Sequence, residues 1–181
     1  FQPIVRLAGG HAAAYHEQSL IYEEILAEDD VTAGLHDRFR DAADLLAGAL
    51  ADLGVETQVG EIAGEYCPGA YTVSAAGRIK LVGSAQRAVR GGALLSAFIL
   101  VGGGDRLRGV LFDVYRALEI PWRPATAGAL DDVAPGVTME AVQEAVLGAR
   151  GEDRELTDAA VDATTLELAR ALEERHRWPF G

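Results

Sequence analysis

Residues 65–87 of this 181-residue chain read EYCPGAYTVSAAGRIKLVGSAQR, with the only cysteine, Cys67, thirteen positions before Lys80. A cysteine sulfur with a cation close by can act as a nucleophile, because the positive charge favours the thiolate. Cys67 precedes Pro68 and Gly69, which predicts a turn and an accessible side chain. Lys80 interrupts the apolar stretch 79–82, where a charge needs a reason. Two plainer alternatives stand beside this: an inert small thiol, and a lysine on the wet side of a strand whose side chains alternate. Gly83 and Ser84 then permit close backbone approach, and Gln86 and Arg87 add polar groups.

A second candidate stretch is RLAGGH at 6–11. Amide N–H groups at Gly9 and Gly10 can face an anion, and Arg6 can pair with a carboxylate or phosphate. Gly-Gly turns are common, and the stretch is neither a Walker loop nor a dinucleotide fingerprint. His11 and His16 could line the same site. His36 and His176 fall in helical stretches, and the four histidines show no metal-ligand spacing, so no metal is expected. Glu65 and Arg87 are weaker candidates, since solvation alone explains a surface polar residue. The glycines at 102–104, beside Asp105, read as a flexible turn.

The elements that must position these residues follow from periodicity. Residues 3–7 are short and β-branched enough for a strand, and 11–15 could resume it. Thr32 is the expected N-cap of a helix running to about Leu53, because Leu35, Phe39, Ala42, Leu46 and Leu50 recur at helical spacing before Gly54. A strand is expected over 55–62. Runs at 71–74 and 79–82 around Gly77 predict a hairpin, and 93–101 is a near-continuous apolar strand. Helices follow at 107–118, at 138–147 with Thr138 as cap, and at 157–175 with Leu166, Ala169 and Leu172 on one side. The expected class is α+β.

Charge and length narrow the function. The net charge of −12 repels phosphate backbones, so nucleic acid is an unexpected partner. No apolar run approaches the roughly 20 residues of a membrane span. One cysteine and no signal peptide point to a reducing, cytoplasmic setting. The chain opens at Phe1 without an initiator Met, and further sequence is expected upstream.

RLAGGHAAAYHEQSL resembles the arginine–glycine–glycine motif of the biotin/lipoate A/B protein ligase family, and GRIKLVGSAQR resembles its lysine motif, in the family's order. The YCPGAY stretch ahead of the lysine is most similar to the family's cysteine-dependent octanoyl/lipoyl transferase branch. Val5 stands where a second arginine is usual, His16 where an aspartate is common, and Leu94, Leu95 and Ser96 where many relatives carry a histidine. The resemblance implies a class II synthetase/biotin protein ligase-like sheet, mixed but mainly antiparallel, with packed helices and a helical C-terminal end. It assigns residues 1–125 to a catalytic domain lacking its N-terminal part and 126–181 to a helical extension. It implies transfer of a lipoyl or octanoyl group to a lysine of a lipoyl carrier domain through an acyl-Cys67 intermediate, with Lys80 on the acyl carbonyl. Arg6, Gly9, Gly10, His11, Gly83, Ser84 and Gln86 are the implied substrate contacts. Partners would be the glycine-cleavage H protein, a 2-oxoacid dehydrogenase E2 or acyl carrier protein. A transferase needs no cofactor, whereas the family's ligases use ATP and Mg to make an acyl-adenylate. A non-catalytic binder of acyl chains or lipoyl domains is the third reading.

Overall fold

The computed structural model describes residues 1–27 and 34–177. Five strands, β1 (Ser19–Leu26), β2 (Thr57–Val59), β3 (Val73–Ala75), β4 (Ile79–Val89) and β5 (Gly92–Leu100), form one sheet in the order β1-β5-β4-β3-β2 among these residues. Every strand pair is antiparallel, and an isolated bridge between Lys80 and Ala127 adds a parallel contact. The α+β architecture expected from the sequence is therefore present. Two hairpins organise it. Left-handed Ala76 and Gly77 turn β3 into β4, and Arg90 and Gly91 join β4 to β5 with Val89 opposite Gly92.

Helix α1 (Leu35–Asp52) buries Ala43, Leu46, Ala47 and Leu50 against the sheet, and α3 (Met139–Gly151) lies beside it through Val142 and Val146. That core takes Ala97 and Ile99 from β5. The alternate β5 residues Phe98 and Leu100 face the other way, into a second core with Leu107, Leu111 and Tyr115 of α2 (Gly104–Ala117). Thr138 caps α3 by accepting the Ala141 N–H, as its position predicts. Among the described residues no helix is long and apolar enough to cross a membrane.

Several elements differ from expectation. Residues 3–7 are not a strand: Ile4 makes one isolated bridge with Arg177, and the segment runs over the surface as a strap. Residues 11–15 are not a strand either, whereas 19–26, where none was expected, form β1. Its alternation is muted because Glu23 and Glu24 sit at consecutive positions. The stretch expected over 55–62 shortens to β2. The glycines at 102–104 are not a loose turn. Gly103, at φ 74, is the N-cap of α2 and Gly104 its first residue, which lengthens the helix expected from 107. The C-terminal helix α4 (Ala163–Leu172) begins later than expected, behind Asp162 as its cap, and none of its residues is buried. The expected cap Thr32 lies outside the described residues; α1 follows Gly34.

Candidate active site

Cys67 sits in the loop joining β2 to β3, half-buried, with a left-handed backbone at φ 42. A side chain in that region costs about 1–2 kcal/mol, so something must hold it there. Two elements do. The Cys67 N–H donates to the Tyr115 hydroxyl of α2 at 2.7 Å, and its carbonyl accepts from Lys80 Nζ of β4 at 2.8 Å. The Tyr115 hydroxyl in turn donates to the Ala12 carbonyl at 3.0 Å, tying the cysteine loop to the strap that carries Arg6 and Gly10.

The sulfur faces that strap. Arg6 Nη2 lies 3.7 Å from Cys67 Sγ and donates to the His11 carbonyl at 3.0 Å. Gly10, at φ 99, makes room for this contact. A Cβ there would fall 2.8 Å from Arg6 Nη2 and 2.9 Å from Cys67 Sγ. Gly9 has open space around it, so its lack of a side chain is not what lets the strap approach.

Lys80 is 3 % exposed, which removes the wet-face alternative. The strand register explains how. Ser74 pairs with Lys80 but Val73 pairs with Val82, so Leu81 is an extra residue in β4, and the bulge breaks the alternation at the lysine. Lys80 Nζ is 2.8 Å from Glu65 Oε2 and also donates to the Tyr66 carbonyl at 3.2 Å, with the Tyr66 ring centroid at 4.9 Å. Glu65 is fixed in place by the Ile62 N–H and the Thr72 hydroxyl. An ammonium has three N–H donors, and three protein acceptors surround this one. Arg6 thus puts a guanidinium beside the sulfur, while Lys80 Nζ bonds the backbone carbonyls of Tyr66 and Cys67.

Two cavities meet at Cys67, Lys80, Ser84 and Ala85. The first, of about 280 Å³, is walled by Gly9, Gly10, His36, Phe39, Tyr71 and Gln86. The Phe39 and Tyr71 rings stack at 5.4 Å, and Gln86 is held by Arg38 and by the Leu35 carbonyl. The second, of about 320 Å³, lies between the strap and the sheet and is lined by Val5, Leu7, Phe98, Leu94, Tyr66 and Gly83. A Cβ on Gly83 would strike Phe98 at 2.7 Å, so the glycine preserves this wall.

Phenols crowd the site. Burial pushes the Tyr115 hydroxyl up to about 12, opposed in part by the Cys67 N–H it accepts. Tyr66 is held far above its ordinary range, by burial first and then by negative charge on Cys67 and Glu65.

Of the residues marked from sequence, Cys67, Lys80, Arg6, Gly10, Gly9, Gly83, Ser84 and Gln86 converge on the two cavities. The His11 side chain does not; it contributes its carbonyl to Arg6. His16 also lies elsewhere, beside Gly103. Arg87 donates to the Leu7 carbonyl and so anchors the strap. Sequence reasoning missed Tyr66, Tyr115 and the cavity roles of His36 and His176. Tyr115 recurs four residues after Leu111 and reads as core; Tyr66, next to the only cysteine, was the one adjacency that could have flagged itself.

Residues 1–149 match the family model described as Lipoyl protein ligase A/B catalytic domain. Among curated proteins, the octanoyl-[GcvH]:protein N-octanoyltransferase of Geobacillus kaustophilus is 33% identical over 111 residues, covering 61% of this chain and 39% of that protein. The protein of the same description from Lysinibacillus sphaericus is 31% identical over 116 residues, 64% of this chain and 41% of its own. The Bacillus velezensis protein so described is 28% identical over 179 residues, 96% of this chain and 57% of its own. The chain thus spans about two fifths of the length of the first two. In fold it is similar to a lipoate-protein ligase A bound with ATP, at a TM-score of 0.75 and 20% identity over 94% of this chain and 66% of that one. It is similar too to a bi-partite lipoate protein ligase from Thermoplasma acidophilum, at 0.72 and 20% over 94% and 65%.

Proposed function

This chain belongs to the lipoyl protein ligase A/B catalytic domain family, and from that premise we propose that it transfers an octanoyl or lipoyl group to a lysine of a lipoyl carrier domain through an acyl-cysteine at Cys67. The observation that carries the reading is the cysteine itself, held in a left-handed conformation where two cavities meet, with a guanidinium 3.7 Å from its sulfur. Support comes from relatives described as octanoyl-[GcvH]:protein N-octanoyltransferases.

The chemistry runs in two balanced steps. Cys67 Sγ attacks the acyl carbonyl on the donor lysine amide of the glycine-cleavage H protein. The C–S bond forms, the C–N bond breaks, and the thiol proton leaves with the departing amine. The neutral amine of the acceptor lysine then attacks the thioester, giving the new amide and returning the thiol. Arg6 balances the charge on sulfur in both steps, and Lys80 with Tyr115 keeps the attacking atom in place. The second cavity, walled by Val5, Leu7, Leu94 and Phe98, suits the alkyl chain; the first, with Ser84 and Gln86, suits the acceptor lysine. This route consumes no ATP.

Intact-protein mass spectrometry after brief incubation with octanoylated H protein tests it. The expected result is a gain of one octanoyl group that Cys67→Ala abolishes. No adduct, with product formed only from free acid plus MgATP, would make the protein a ligase and the cysteine dispensable.

A further inference from the structure

The transfer step leaves one proton without a destination. A carrier lysine arrives as an ammonium, and at pH 7 fewer than about one in a thousand is neutral. Turning that ammonium into an amide removes two protons. The departing sulfur of Cys67 takes one, and the other needs a base in the cavity that the lysine enters.

The first cavity offers one. Among the described residues its titratable lining is Cys67, Lys80, Tyr71 and His36, with no carboxylate. At this stage Cys67 carries the acyl group, Lys80 is a cation paired with Glu65 at 2.8 Å, and a phenol is a poor base. An imidazole takes and returns a proton near neutral pH. Residues 67–71 all line the cavity, so one wall runs unbroken from the nucleophile to Tyr71, whose hydroxyl lies 3.3 Å from His36 Nδ1. When Nδ1–H donates to that oxygen, the lone pair is on Nε2, which has no partner among the described residues. His36 is exposed and Cys67 half-buried, so a lysine reaching the sulfur from solvent along this wall passes the imidazole. The neighbouring charges of α1, Asp37 and Arg40, pair with each other at 2.8 Å.

On the acyl-cysteine reading above, with the acceptor lysine in the first cavity, we propose that His36 is the catalytic base of the transfer step, its Nε2 taking the first proton from the acceptor nitrogen. The freed electron pair forms the C–N bond at the thioester carbon as the C–S bond breaks. The second proton goes to the departing sulfur and restores the Cys67 thiol, and the exposed imidazolium returns its own to solvent. Tyr71 accepts from Nδ1–H throughout and steadies the charge that forms on the ring. Lys80 takes no part in this proton transfer, and its place beside Cys67 is unchanged by it.

The test compares the full chain with its His36→Gln variant. Wild-type protein must first take an octanoyl group onto Cys67 from octanoylated H protein; if it does not, the acyl-cysteine reading itself has failed and this proposal falls with it. Both proteins are then loaded from p-nitrophenyl octanoate, whose leaving group departs as an anion, and they should load at rates within about twofold. At pH 7 the variant should pass its octanoyl group to a lipoyl domain with a free lysine about a hundredfold more slowly, the low end of what a positioned base contributes. Hydroxylamine, an amine already neutral at that pH, should strip the group from both proteins at rates within about twofold. The deficit should close as pH rises toward 10, where the acceptor lysine becomes neutral unaided. Transfer to the lipoyl domain at the wild-type rate would overturn the proposal. So would a deficit shared by loading or by hydroxylamine, or one constant across pH, because His36 would then act by shaping the cavity or docking the carrier.

Discussion

At the scale of single residues the site is a set of close approaches with little slack. Gly10 is the tightest, and Gly10→Ala should cut both alkylation and acyl transfer at Cys67 by more than about tenfold, because the new methyl would displace the guanidinium and the sulfur at a φ that L-residues resist. The melting temperature should change little, since the strap is exposed there; an alkylation rate equal to wild type would refute the packing argument. The Lys80–Glu65 pair makes a different prediction. Lys80→Met leaves a buried carboxylate unpaired and should cost about 3–5 kcal/mol in urea unfolding, whereas Lys80→Met with Glu65→Leu should recover most of that and still fail to transfer. Cys67 and Lys80 were legible in sequence because a lone thiol and a lysine in an apolar run are anomalies. Their division of labour was not. It depends on the bulge at Leu81 and on a strap some 60 residues upstream, neither of which has a local signature.

At the scale of elements, one hydroxyl joins three of them. Tyr115 on α2 accepts from the cysteine loop and donates to the strap, so Tyr115→Phe leaves the Cys67 N–H and the Ala12 carbonyl unpaired and should cost about 1–3 kcal/mol. It also sets an alkaline limit. The phenol rises from its ordinary 10.0 to about 12 in the folded protein, so between those values the folded chain holds a proton that the unfolded chain has lost. Stability should therefore be level below pH 10 and fall as pH climbs toward 12, and Tyr115→Phe should flatten that fall in chemical denaturation; an unchanged slope would show that other groups control it. The β3–β4 and β4–β5 hairpins were legible because glycine marks their turns, and α3 because Thr138 caps it. Strand β1 was not, since two adjacent glutamates blur its alternation, nor was the strap, whose β-branched residues mimic a strand while its one bridge is to Arg177.

At the scale of the whole molecule, the C-terminal segment reaches back to the site. α4 buries none of its residues, yet the turn after it clasps the strap: Val5 donates its N–H to the His176 carbonyl at 2.8 Å, and His176 Nδ1 lies 2.7 Å from the Val5 carbonyl. We propose that residues beyond α3 form an appendage whose role is to steady the strap. Truncation after Gly151 should leave the melting temperature within a few degrees and lower acyl transfer severalfold. A large loss of stability would mean that the appendage belongs to the core. No periodicity could have shown this, because the clasp is built from three backbone groups and one imidazole. The left-handed cysteine has a consequence for how such a molecule changes over generations. Glycine would relieve the strain at position 67, so a lineage or a directed-evolution experiment rewarded only for heat resistance should drift toward Cys67→Gly. The cysteine should persist only where turnover itself is under selection.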